Sequence, residues 1–308
     1  MLLFWILFNL FVVAMLALDL GVVNRRSLHV GFREALAWSG VWIALAAAFA
    51  VLMLFWQGRL QALQFVTGYV IELSLSVDNL FVFLVVFRYF KVPDEYQRKV
   101  LSWGILGALF MRGVFIVAGV GLIQRFNWIT YLFGALLVYS GLRLLGQGKM
   151  KIDPNTNLAL RLFRRVFPVT EDYVGDQFFT RRMFAQKSRL YATPLLVVLL
   201  VVETTDILFA VDSIPAVLAI TLNAFIVYTS NVLAILGLRS MYFALSGMID
   251  RFRYLHYGLS MVLVFIGLKM LASHYVTIPT EWALAVVIAV LGVSILASMA
   301  NQQKNPAT

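Results

Sequence analysis

The sequence predicts an all-α, polytopic membrane protein of about nine transmembrane helices, and three observations carry that reading. Of the 308 residues 62% are hydrophobic and 13% charged, with a mean hydropathy of +0.88, a composition that a water-soluble domain of this length does not sustain. The apolar residues fall into runs of roughly 20, the length a helix needs to cross a bilayer. Lysine and arginine gather in alternate connections between those runs, as in a chain that crosses the membrane repeatedly.

The runs lie at approximately 2–23, 35–56, 64–88, 101–123, 128–146, 192–220, 224–248, 256–273 and 281–300. The first lacks the basic leading segment and small-residue cleavage site of a signal peptide and is long enough to span, so it reads as a retained helix. With the N-terminus outside, twenty of the 25 basic residues fall in cytoplasmic connections. These are Arg25, Arg26 and Arg33, then Arg88, Lys91, Arg98 and Lys99, then ten residues from Arg143 to Arg189, and finally Arg251, Arg253 and Lys304. Outer connections keep only Arg59 and Arg125, and the C-terminus is then cytoplasmic. The net charge of +10 is therefore a signal of topology rather than of nucleic-acid binding. With no cysteine, the chain can form no disulfide, thiolate metal site or cysteine nucleophile.

One unit occurs twice. IELSLSVDNLF, residues 71–81, sets Glu72 six positions ahead of Asp78, and TDILFAVDSIP, residues 205–215, sets Asp206 six ahead of Asp212. ILGALFMRGVF with Arg112 follows the first, and AILGLRSMYF with Arg239 follows the second. Gln124 to Leu145 then aligns with Asp250 to Leu271, pairing Arg125 with Arg251, Gly141 with Gly267 and Arg143 with Lys269. The single membrane domain, 1–308, is thus expected to hold a first repeat at 64–146, a basic cytoplasmic loop at 147–190 and a second repeat at 192–273. A unit of three spans enters the membrane from opposite sides in its two copies, which predicts an inverted repeat, and transporters of that design bind substrate near the midplane between the halves.

An ionisable residue at membrane depth costs at least about 2.5 kcal/mol, so these acids mark a functional site. On a regular helix, at about 100° per residue, positions seven apart share a face, so Glu72 lines up with Asn79 and Asp206 with Ser213. Asp78 and Asp212 join them only through a kink or by facing a neighbouring helix, and Pro215 supplies a reason for a kink in the second copy. Glu72, Asp78, Asn79, Asp206, Asp212 and Ser213, with Glu203, Thr204 and Thr205 nearby, form an all-oxygen set of the kind that hard divalent cations such as Mn²⁺, Mg²⁺ and Ca²⁺ prefer. Arg112 and Arg239 are candidate ion-pair partners, but four or five intramembrane acids exceed two deep arginines, and the surplus calls for a cation or protons.

Other features have structural readings. His29, His256 and His274 sit near span ends as interfacial residues, the eleven methionines are scattered as packing, and Asp19 reaches water near the end of span one. Lys269 and Arg143 snorkel from span ends. Leu158 to Phe167 sets Leu158, Leu162 and Val166 against Arg161, Arg164 and Arg165, as a surface-lying helix would. Glycines 104, 107, 113, 119 and 121 are read as points of close helix contact.

The segments GYVIELSLSVDNLFVF, VVETTDILFAVDSIPAVLAI and TSNVLAILGLRSMYF closely resemble the TerC family of integral membrane proteins, in order and with their spacing intact. The resemblance runs from about residue 15 to 300 and is closest to the Alx-type branch of bacterial inner-membrane proteins. It implies manganese efflux, an inner-membrane location, and metal contacts at Glu72, Asp78, Asn79, Asp206, Asp212 and Ser213. Residues and resemblance together predict a divalent cation exporter, Mn²⁺ being its transported substrate rather than a resident cofactor. It would work by alternating access with protons as counter-ion, and Glu203, Thr205, Arg112 and Arg239 would be accessory. The alternative is a membrane-embedded metal-handover or assembly factor for exported proteins, docking assembly machinery through the basic loop. No enzyme is expected, since the acids lack the GxGD-like pairing of an intramembrane protease.

Overall fold

The computed structural model describes residues 2–21, 31–146, 160–246 and 254–304, apart from 162, 164, 166, 185, 186 and 277. The apolar runs form α1 (Leu2–Gly21), α2 (Phe32–Trp56), α3 (Arg59–Tyr89), α4 (Asp94–Arg125), α5 (Ile129–Gly146), α6 (Pro194–Leu218), α7 (Ala224–Leu236), α8 (Leu238–Ser246), α9 (Leu255–Leu271) and α10 (Thr280–Lys304). Seven segments are long and apolar enough to cross a membrane, counting α7 and α8 together, and Leu2–Leu18 and Leu255–Leu271 are shorter apolar helices. The protein is a polytopic, all-α membrane protein, as expected.

Local sequence fixes the helix ends. Gly58, at φ 100°, turns the chain between α2 and α3 through a conformation open to glycine. Pro194 opens α6, where its missing N–H would have had no helical partner. Asn223 caps α7 by accepting from the Phe225 amide at 3.1 Å. The span expected over 224–248 is divided at Gly237, where Trp42 of α2 comes within 3.4 Å of the position a Cβ would take. A glycine both weakens the helix there and admits the tryptophan.

Helices α3, α4, α6 and α7 form the centre, with α2 and α10 against α3, and α1 against α7. α5 packs along α9 through glycines: a Cβ at Gly267 would lie 2.7 Å from the Gly134 carbonyl oxygen, and one at Gly141 would lie 2.9 Å from the Ser260 carbonyl oxygen. Ser260 also donates its hydroxyl to the Gly141 carbonyl.

Apolar packing along the central helices is split in two. Leu80 to Phe87, Val100 to Ala108 and Leu195 to Val202 belong to one buried cluster, while Ile71, Ile116 and Val120, and Ala210 to Leu218, belong to another. Glu72, Arg112 and Asp206 lie at the seam between them.

The described part of the basic loop carries regular structure. Strands β1 (Phe179–Phe184) and β2 (Lys187–Ala192) pair antiparallel, with Phe179 opposite Ala192 and Phe184 opposite Lys187. Tyr173 donates to the Phe90 carbonyl at 2.8 Å, and Lys99 meets the Asp176 carboxylate at 3.0 Å. Burial pushes the Tyr173 phenol up to about 12, so it remains a donor. Of the expected surface helix, Leu158, Leu162, Arg164 and Val166 lie outside the described residues, whereas Leu160 is buried in the cluster beside the hairpin. This loop sits at one end of the bundle, the hairpin side.

Candidate functional site

Glu72 is the fourteenth of 31 residues in α3, Arg112 the nineteenth of 32 in α4, and Asp206 the thirteenth of 25 in α6, so all three lie near mid-helix. Their packing faces one another, and all three are buried: Glu72 is 0% exposed, Arg112 1% and Asp206 4%. Arg112 Nη1 donates to Glu72 Oε1, to Ser213 Oγ at 3.0 Å and to Asn231 Oδ1 at 2.9 Å, while Nη2 stands 3.8 Å from Asp206 Oδ1. One guanidinium thus gathers side chains from α3, α6 and α7.

The cluster is only partly saturated. Among the described residues, Glu72 Oε2, Asp206 Oδ2, Asn79 Oδ1 and the Nε and Nη2 of Arg112 are buried without a hydrogen-bond partner. Buried polar atoms usually find partners, because an unmet group costs about 1–3 kcal/mol. With both acids ionised, two carboxylates face one cation. The spare oxygens are hard donors suited to a proton or a hard metal ion.

Two further carboxylates flank this centre along α6. Glu203, one turn from Asp206 toward the hairpin side, lays its half-buried carboxylate directly on Gly107 of α4. Asp212, six residues beyond Asp206, accepts from Ser140 of α5 at 2.7 Å. Asp212 thus faces a neighbouring helix, α5, and its hydrogen bond comes from Ser140 rather than from the Arg112 cluster. Pro215 lies inside α6, which runs through it as one helix.

Several candidate residues stand apart from Arg112. Thr204 and Thr205 donate back to the Leu200 and Val201 carbonyls at 2.8 and 2.7 Å. Arg239 bonds Ser102 of α4 at 3.4 Å. The Asp78 side chain lies outside the described residues, although its backbone continues α3. Among the described residues, no three His, Asp or Glu side chains converge as a metal site, so the cluster as it stands is an arginine-centred one.

His256 and His274 pack beside Tyr257 and Tyr275, and His29 lies outside the described residues. Asn231, Ser140 and Gly107 are site residues that sequence reasoning did not nominate. Asn231 stands in a polar Thr-Ser-Asn triplet inside an apolar run, and that triplet was the available signal.

A bundle of apolar helices closed around a buried, charged, oxygen-rich centre defines an integral membrane protein with polar chemistry at mid-depth. The chain belongs to the integral membrane protein TerC family, whose model matches residues 57–306. It is 48% identical over 302 residues to an uncharacterised membrane protein of Myxococcus xanthus, STKORF319, covering 98% of this chain and 93% of that one. It is 44% identical over 298 residues to a protein of Escherichia coli K12 named as a proposed membrane-bound redox modulator, Alx, covering 94% and 92%. A Salmonella typhi protein of the same name is 43% identical over 315 residues, covering 98% and 96%. No solved structure matches the chain.

Proposed function

We propose that this protein exports a divalent metal cation, with Mn²⁺ as its preferred cargo, by alternating access coupled to protons across the bacterial inner membrane. The observation that carries this reading is the meeting of Glu72 and Asp206, one from each acidic segment, at mid-helix depth with unpartnered oxygens beside them. Glu203 and Asp212 extend the carboxylates along α6 to either side, as a path for an ion requires. Asp78, Asn79 and Ser213 complete the proposed donor set, and Thr205 and Arg239 are accessory. A carboxylate that releases a metal ion can accept a proton, so one site serves both ions in turn.

Contacts at matched positions support reading the two triplets as halves of one inverted repeat. Gly141 meets Ser260 and Val264, and their counterparts at a spacing of 126, Gly267, Gly134 and Val138, meet in the same way. Arg112 of the first repeat also bonds Asn231 of the second, and Arg239 of the second bonds Ser102 of the first, so each arginine reaches across to the other repeat although these partners are not at matched positions.

The name carried by the Alx relatives suggests a redox role. Without a cysteine this chain offers no thiol for electron exchange, so an effect on redox balance would act through metal supply. The docked hairpin favours a second reading, in which the protein hands metal to an assembly partner. Removing the hairpin would then abolish function in cells while flux through purified protein continues.

Purified protein in vesicles should carry Mn²⁺ faster than Mg²⁺ or Ca²⁺ and respond to an imposed pH gradient. Asp206→Asn, Asp212→Asn and Asp78→Asn should each stop that flux. Wild-type rates in these variants would sink the shared-site reading, and no metal flux from the wild type would sink export itself.

A further inference from the structure

Arg112 is poorly placed for a purely structural ion pair. A buried arginine that only stabilises a fold is expected to present its planar fork to a carboxylate through two parallel hydrogen bonds, with its remaining donors met. Among the described residues a single nitrogen, Nη1, makes all the hydrogen bonds, to Glu72, Ser213 and Asn231. Nη2 approaches Asp206 only to 3.8 Å, and among the described residues Nε and Nη2 meet no hydrogen-bond partner although the residue is 1% exposed. Each acid likewise keeps one oxygen without a partner among them. The contacts hold one charged group between two acids without committing it fully to either.

The same two acids are the central metal contacts of the export reading, on which this inference rests. A divalent ion and a guanidinium cannot share them comfortably, because a doubly charged ion and a singly charged group held at contact distance in a buried site repel strongly. Metal entry therefore requires Arg112 to withdraw, and metal departure leaves two buried carboxylates that need a counter-charge before the site can change sides.

We propose that Arg112 is a tethered substitute cation. It occupies the Glu72–Asp206 pair when metal is absent and competes with metal for it; its single charge balances one of the two carboxylates while protons taken up after metal release balance the rest, so that the proton-loaded protein can reorient. Ser213 and Asn231, on α6 and α7, are the positioning residues that hold it there. The arrangement converts a loaded-only exchanger into a carrier that completes a net cycle.

The test separates binding, exchange and net flux. Arg112→Gln keeps hydrogen-bonding capacity but removes the charge. In detergent at pH 8 it should bind Mn²⁺ about tenfold more tightly than wild type, the sense expected when a competing cation is lost. In vesicles it should still exchange labelled Mn²⁺ for unlabelled Mn²⁺ across the membrane while net transport falls by at least about tenfold. Arg112→Lys, which keeps a cation, should retain weak wild-type-like binding. Asn231→Ala removes an anchor of the guanidinium but no charge, so it covers the case in which Arg112→Gln fails to fold; it should tighten Mn²⁺ binding a few-fold. Unchanged or weaker binding in Asn231→Ala, or a folded Arg112→Gln that loses exchange and net flux together, would overturn the proposal. Wild-type protein that neither binds nor moves any divalent ion would instead overturn the export reading.

Discussion

At the scale of single residues, two small side-chain changes discriminate between packing and chemistry. Gly107 leaves room for the Glu203 carboxylate, and any Cβ there would collide with it. Gly107→Ala should therefore displace Glu203 and cut Mn²⁺ flux by about tenfold or more, since misplacements near 1 Å at working groups are costly. Gly121, with nothing within 4 Å of its absent Cβ, is the matched control, and Gly121→Ala should leave flux unchanged. Asn79 makes the complementary case. Its buried Oδ1 has no partner among the described residues, so Asn79→Leu should raise thermal stability in detergent, by about 1 kcal/mol, while flux falls. If stability drops instead, the amide is part of the packing. The glycine pattern shows how far sequence reaches at this scale. Gly104 and Gly107 do face Val202 and Glu203 of α6, and Gly119 faces Leu218, but Gly121 faces open space. Small size says where a neighbour can approach, and only the fold decides which approach is used.

At the scale of elements, the α5–α9 pair depends on four closely apposed positions, Gly134, Gly141, Ser260 and Gly267. Replacing Gly267 by leucine would drive a side chain into the Gly134 carbonyl and Val138. It should lower stability in detergent by about 1–3 kcal/mol, read as a fall in melting temperature against the wild type. An unchanged melting temperature would mean that the two helices separate without cost. The helices themselves were legible in the sequence because the bilayer imposes length and apolarity on each crossing. The acidic segments were legible too, since a carboxylate inside such a run is conspicuous. Three things were not. The 179–192 hairpin is short and rich in arginine, so it lacks the alternation of a half-buried sheet. The break at Gly237 depends on Trp42 arriving from α2. Asn231 is a neutral amide whose importance comes from the arginine it meets across 119 positions of sequence. Contacts between distant segments leave no local periodicity to read.

For the whole molecule, the absence of cysteine makes topology directly measurable. Asn127, between α4 and α5, and Glu171, in the loop before the hairpin, are both exposed and belong to opposite ends of the bundle. Asn127→Cys should react with a membrane-impermeant maleimide added to intact cells, and Glu171→Cys only after the membrane is opened. The reverse result would invert the orientation proposed from the basic residues. The mid-helix position of Glu72, Arg112 and Asp206 also has an electrical meaning. An ion bound halfway through the bilayer has roughly half of the membrane voltage still to cross. For a doubly charged ion driven outward against a potential of about 100 mV, negative inside, that remaining half costs about 2.3 kcal/mol. Two protons travelling inward per metal ion would cancel this work, whereas one would leave part of it opposed to export, so the response of flux to voltage reports the stoichiometry while the depth of the cluster decides how the electrical work divides between binding and release.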